Sequence, residues 1–157
     1  MFYDRLDTGT IGPLTLIADH EGLRHIVFAS ARNPIALEAD WIHNPTFFKE
    51  IKGQLRAYFD GRLTHFDLPL SIQGTDFQKK VWQALGTIAY GTTVSYGWVA
   101  RQIGNPKAVR AVGAANAKNP LPIVIPCHRV IGHNGALTGF GGGLDVKQKL
   151  IELEILF

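Results

Sequence analysis

Ser95-Tyr96-Gly97-Trp98-Val99-Ala100-Arg101-Gln102-Ile103-Gly104-Asn105-Pro106-Lys107-Ala108-Val109-Arg110-Ala111-Val112-Gly113-Ala114-Ala115-Asn116-Ala117 decides the fold of the carboxy-terminal half. Ser95 is a capping residue, and residues 96–103 follow it as a helix that Gly104 closes. Asn105-Pro106 then starts a second helix at once, over residues 107–117. Two short helices joined by a tight glycine-containing turn make a helix-turn-helix pattern. The second helix displays alanines and a single long side chain, Arg110. Such a face lies close to a surface but cannot read base edges, so it suits shape-based contact, as in a minor groove.

Upstream, Thr75-Asp76-Phe77-Gln78 is a capping box that opens another helix running to about Leu85. Downstream, residues 145–156 form a last helix, with Asp145 as cap and Gln148 three positions on. The character before Gly74 is different. Residues 14–19 and 23–28 read as two strands rich in Leu, Ile and Val, joined through His20-Glu21-Gly22, with Gly22 free to take a positive φ. Asn44 and Pro45 suit a helix cap and first turn, and Phe47, Phe48, Ile51, Leu55, Tyr58 and Phe59 recur at helical spacing until Gly61. Residues 66–72 read as a third strand. The fold expected is α+β or α/β: a small unit over residues 1–74, then a mostly helical unit over 75–157.

Charge is divided along the same boundary. Residues 1–74 carry 7 Lys/Arg against 9 Asp/Glu, whereas residues 75–157 carry 9 against 4. From Phe77 to Leu144 there is no carboxylate, against seven basic residues. A stretch cleared of acids suits a polyanionic partner, because an exposed Asp or Glu would repel phosphates. No apolar run approaches the ~20 residues needed to span a membrane. The N-terminus lacks the pattern of a signal peptide, and one thiol without a disulfide framework suits a reducing cytosol.

That thiol is Cys127, in Leu121-Pro122-Ile123-Val124-Ile125-Pro126-Cys127-His128-Arg129-Val130. Its basic neighbours favour a reactive thiolate over an inert buried side chain. Adjacent side chains rarely point the same way, so His128 reaches the sulfur directly only across a sharp turn, and otherwise through a water. A catalytic imidazole also needs a group to orient it. Asp145, Glu152 and Glu154 are the only carboxylates after Asp76, and one of them is the expected partner. Beyond lies Gly135-Ala136-Leu137-Thr138-Gly139-Phe140-Gly141-Gly142-Gly143, whose backbone can approach a ligand closely. It lacks the lysine and the strand–loop–helix setting of a phosphate loop. It suits a wall closing over a flat ring, with Phe140 packing on it.

From Thr75 to Glu154 the chain resembles the O6-alkylguanine-DNA alkyltransferases, the methylated-DNA–protein-cysteine methyltransferases. The resemblance rests on Ile-Pro-Cys-His-Arg-Val, on Gly104-Asn105-Pro106-Lys107-Ala108, on Arg110-Ala111-Val112-Gly113, on Asn119-Pro120 and on the glycine loop, in the family's order and spacing. It implies a ribonuclease-H-like amino-terminal domain, a carboxy-terminal domain that binds duplex DNA in the minor groove, and no cofactor. The activity implied is single-turnover, irreversible transfer of the alkyl group from O6-alkylguanine, and from O4-alkylthymine, to Cys127 by a cytoplasmic monomer. Glu154 would orient His128, which would deprotonate Cys127 through a water. Tyr96 would help the purine leave as a neutral base, and Asn119 would brace the turn before the cysteine. Arg110 would fill the place of the flipped base, with Lys107, Ala111, Ala114 and Arg129 on the DNA side. Phe140, Gly141, Gly142 and Val130 would form the substrate pocket.

Two departures bear on that pocket. Phe140 stands where many relatives have Tyr, which removes a hydroxyl contact but keeps the apolar wall; Gly141 stands where some have Ser, so a looser pocket admitting larger alkyl groups is expected. Zinc-binding relatives use cysteines in the amino-terminal domain, and this chain has only Cys127. Three other functions are disfavoured. Lesion recognition without repair goes with loss of the cysteine, a Cys-His hydrolase needs an oxyanion site that is absent here, and a sequence-reading regulator would not carry an alanine-faced helix.

Overall fold

The structure is a computed structural model that describes residues 1–31, 34–137 and 140–156. Thr138 and Gly139 of the glycine loop, and Phe157, lie outside the described residues. The fold is α+β. Strands β1 (Phe2–Asp7), β2 (Pro13–Ala18), β3 (Leu23–Phe28) and β4 (Ile42–His43) form one sheet in the order β3-β2-β1-β4. β1 and β3 both pair antiparallel with β2, and the short β4 pairs parallel with β1. Helix α1 (Lys49–Phe59) buries Ile51, Leu55, Tyr58 and Phe59, the stripe that its helical spacing predicts.

Four details differ from the expectation. β1 was not foreseen, because its inward position 4 is an acid. Asp4 is buried, accepting from Lys52 Nζ and His43 Nε2 at 2.9 Å each, and so joins β1 to α1 and β4. Asn44 does accept from the Phe47 amide (3.1 Å), but only a turn follows, and the regular helix begins at Lys49. That turn sets Phe47 against Phe2 and Phe48 into the core before the helix starts. Residues 66–72 are not a strand. They make one bridge, Leu23 to Leu70, while Pro69, which has no N–H, offers only its carbonyl to the Leu23 amide (3.0 Å). Gly22 is needed for closeness rather than for positive φ, since a Cβ there would collide with the Pro69 carbonyl oxygen.

The carboxy-terminal half follows its local signals closely, except that Asp145 lies within the first turn of the last helix rather than at its cap. Helix α2 (Asp76–Leu85) has both bonds of the Thr75/Gln78 capping box. A short strand β5 (Val94–Ser95) leads into α3 (Tyr96–Gln102), whose cap Ser95 accepts from the Trp98 amide (3.0 Å). Gly104 then turns at φ +76°. Helix α4 (Val109–Ala117) begins two residues later than expected, because Asn105 to Ala108 close a separate turn first. The pair packs on α2 through Val99, Ala100, Val112 and Ala115, and Trp82 Nε1 donates to the Ala115 carbonyl (2.9 Å). A 3-10 turn (Cys127–Arg129), strand β6 (Val130–Ile131), paired parallel with β5, and helix α5 (Leu144–Leu156) complete the chain. One hydrophobic core runs through both halves, from Leu14 and Tyr58 to Val81 and Leu150. Among the described residues no helix is long and apolar enough to cross a membrane.

Candidate active site

The segment from Asn119 to Pro126 delivers Cys127 into the core. Asn119 spans it: Oδ1 accepts from the Leu121 amide (3.0 Å) and Nδ2 donates to the Ile125 carbonyl (2.7 Å). Between them Ile123 sits at φ +76°, a left-handed conformation for a β-branched residue. Such a position costs on the order of 1–3 kcal/mol and persists only where its surroundings hold it. Here the Asn119 bridge and the complete burial of the Ile123 side chain do so. The strained turn aims the next residues inward, and Cys127, His128 and Arg129 are all buried.

Glu154, on α5, gathers this turn. Its Oε2 accepts from His128 Nε2 (2.6 Å), Tyr58 Oη (2.5 Å) and Arg129 Nη2 (3.2 Å). Its Oε1 accepts from Arg129 Nε (2.8 Å) and the Gly91 amide (3.2 Å). Five donors from three segments meet one buried carboxylate. Burial alone would raise its pKa, but the bonds from His128, Arg129 and Tyr58 hold it well below the usual carboxylate range. Glu154 is therefore an anion, and His128 must carry its proton on Nε2. Burial also lowers the pKa of His128, against the pull of Glu154, so the resting imidazole is neutral. Its Nδ1 is buried and has no partner among the described residues.

Burial pushes the Cys127 thiol up to about 11, while a side-chain hydrogen bond from Asn119 and the charge of Lys147 act in the other direction. At neutral pH the resting group is a thiol that needs a base. Lys147 on α5 was not singled out from the sequence. It is completely buried, and burial lowers its pKa to about 8 against the opposing charge of Cys127. A lysine with no exposed surface is rare, but nothing in a single sequence marks it as inward-facing.

Cys127 lines a cavity of about 240 Å³ with Asn116, Asn119, Pro122, Phe140 and Gly141. His25, Ile26 and Phe28 of β3 form its other side. A Cβ on Gly141 would meet open space, whereas one on Gly142 would lie 2.7 Å from the Phe28 ring. The Gly142 carbonyl also accepts from Ser30 Oγ (2.6 Å), so the loop is pinned to the end of β3. Gly142 is thus an anchor behind the cavity rather than part of its lining. Val130 is not in the lining either. Its side chain is in the core, where β6 pairs with β5. A larger groove of about 920 Å³ lies between residues 64–72 and α2, and it reaches Arg129 but neither Cys127 nor His128.

The remaining residues divide by exposure. Lys107, Arg110, Ala111 and Ala114 are exposed along the outer side of the helix-turn-helix. Arg129 does not join them. It is buried, with Nε and Nη2 on Glu154 and Nη1 on the Ile88 carbonyl (2.7 Å), and this removes it from the DNA side. Tyr96 opens α3 half-buried, with its ring beside Gly113 of α4.

Comparison with known proteins covers nearly the whole chain. Residues 1–72 match the family model of the 6-O-methylguanine DNA methyltransferase ribonuclease-like domain, and residues 76–155 match that of its DNA-binding domain. A methylated-DNA–protein-cysteine methyltransferase of Methanosarcina barkeri is 51% identical over 98% of this chain and 97% of its own length. Its namesake in Mycobacterium tuberculosis is 48% identical over 98% and 93%. The crystal structure of Mycobacterium tuberculosis OGT in complex with DNA superposes with a TM-score of 0.91 at 47% identity, covering 99% of this chain and 94% of that one. A methyltransferase of Methanococcus jannaschii gives 0.69 at 28% identity over 92% and 89%. This chain belongs to the 6-O-methylguanine DNA methyltransferase family.

Proposed function

We propose that this methyltransferase repairs duplex DNA by transferring the alkyl group of O6-alkylguanine, and of O4-alkylthymine, to Cys127 in one irreversible event. The observation that carries it is the arrangement of Cys127 and His128 against Glu154 beside the cavity. His128 is neutral, is protonated on Nε2 and presents a buried Nδ1 as the base. Through one water Nδ1 takes the thiol proton, giving an imidazolium that faces the Glu154 carboxylate. The sulfur then attacks the alkyl carbon. The S–C bond forms as the C–O6 bond breaks, and the electron pair leaves on the purine. Tyr96 hydrogen-bonds the ring and passes it a proton, and the proton held by the imidazolium returns through water to restore the phenol, so the thiol proton ends on guanine. The thioether product has no group poised to reverse it, so each molecule reacts once.

The exposed, acid-free side of the helix-turn-helix supports binding to the minor groove. There Lys107 meets phosphate, Ala111 and Ala114 allow close approach, and Arg110 takes the place of the flipped base. The DNA complex of the Mycobacterium tuberculosis relative supports the same partner. One copy carries every residue named for this site, in keeping with action as a monomer. Residues 1–74 serve as the supporting domain and 75–157 as the reacting one. Asn119 braces the strained turn, and the open space at Gly141 favours tolerance of alkyl groups larger than methyl.

Replacing the acceptor tests the proposal. Cys127→Ala is expected to bind an O6-methylguanine duplex with nearly unchanged affinity and to leave the lesion intact. Lesion loss catalysed by the variant would overturn the assignment of the acceptor.

A further inference from the structure

Tyr58 lies outside the carboxy-terminal half that carries the reaction, yet its hydroxyl makes the shortest contact to Glu154. The residue is completely buried on α1, with its ring against Phe59, Phe66 and Tyr90. Its oxygen donates to Oε2, the same atom that accepts from His128 Nε2. A phenol needs a partner when buried, but any carbonyl would serve for that. Here it shares an acceptor with the catalytic base of the proposed mechanism.

We propose that Tyr58 is a positioning residue for alkyl transfer, through which the amino-terminal domain sets the orientation and the basicity of His128 by way of Glu154. The inference rests on the function proposed above.

Two physical effects follow from the shared oxygen. A donor on Oε2 holds that atom in place, and with it the plane of the His128 ring and the direction of Nδ1. It also draws charge from Oε2, which weakens the pull of that oxygen on the Nε2 proton and keeps imidazolium less favourable. The groups that face this pair are Arg129, Lys147 and Tyr58 around His128 and Glu154, with Tyr90 beside the carboxylate. Arg129 and Lys147 already disfavour a second positive charge. Tyr58 adds a neutral donor and no charge, because burial and the neighbouring anion hold its phenol above the usual range.

The test is the pH profile of Cys127 alkylation by free O6-benzylguanine, read by intact mass, in wild type and Tyr58→Phe. The substitution keeps the ring and removes only the donor. His128 should become the stronger base, so the low-pH limb, where it must be neutral to accept the proton, should move up by about half a pH unit or more. The plateau rate should fall about five-fold as the ring loosens. Incorporation of 3,5-difluorotyrosine at position 58 strengthens the donor without emptying the site, and should move the limb down. Imidazole titration of His128 by NMR should show the same two opposite shifts. Limbs and NMR midpoints that stay put in both variants would overturn the proposal, as would a Tyr58→Phe variant that loses only stability. If wild type itself is not alkylated at Cys127, the proposed function fails instead, and the NMR titration still decides the role of Tyr58.

Discussion

Glu154→Gln is the substitution that strains this site most sharply at constant shape. The carboxylate accepts five hydrogen bonds, three on Oε2 and two on Oε1. A carboxamide keeps one acceptor oxygen and turns the other position into a donor. If its oxygen stays toward Tyr58 and His128, its NH₂ faces Arg129 Nε and the Gly91 amide. If it flips, its NH₂ faces Tyr58 and His128. Either way at least two donors lose their acceptor, and the buried Arg129 loses its counter-charge. Breaking a buried pair in this way costs about 3–5 kcal/mol. Alkyl transfer should slow by about 10²-fold or more, since the imidazolium loses the anion that supports it. Urea denaturation and single-turnover alkylation of the folded variant measure the two effects. The sign with pH follows as well. The folded pKa of Glu154 is depressed below its ordinary value of 4.5, so its contribution is complete above that pH and is lost as pH falls below it. Wild type should lose stability progressively as pH falls below about 4.5 toward the depressed folded value, and the variant should lose much less over that interval. A variant within about 0.5 kcal/mol and two-fold of wild type would refute the central place given to this carboxylate.

Three further outcomes are expected. Gly142→Ala should be destabilising by about 1–3 kcal/mol because its Cβ would meet the Phe28 ring, whereas Gly141→Ala should melt within a degree or two of wild type; differential scanning calorimetry separates them. Arg110→Ala should slow repair of a lesion in duplex DNA at least ten-fold more than reaction with free O6-benzylguanine, and equal losses would argue against a role in flipping. Lys147→Met removes the buried cation facing Cys127, so the thiol should ionise at a higher pH and transfer should slow; an unchanged profile of thiol ionisation would count against that contact.

The sequence was most legible where one local signal decides the backbone. The Thr75/Gln78 box and the Ser95 cap each fix a helix start within a few residues, and both form as expected. β2 and β3 carry enough Leu, Ile and Val to be read directly. β1 was hidden because the acid at its inward position is neutralised by Lys52 and His43, which lie 48 and 39 residues away. In residues 66–72 the alternation of Phe66, Leu68, Leu70 and Ile72 is real, and those side chains do pack on the core. Only one bridge forms there, however, so side-chain period alone mistook an extended segment for a strand. Arg129 illustrates the same limit at the site. The resemblance puts it on the DNA side, but Glu154, 25 positions on, claims it. Tyr58 was read only as one member of a helical stripe, since its hydroxyl finds its partner 96 positions away.

The most direct measurement is the intact mass of the protein after mixing with an equimolar duplex that carries a single O6-methylguanine. The account predicts a gain of about 14 Da, mapped to Cys127 and stopping at one equivalent however much substrate is added. Binding to the lesion duplex with no gain in mass, or a gain on a residue other than Cys127, would contradict it.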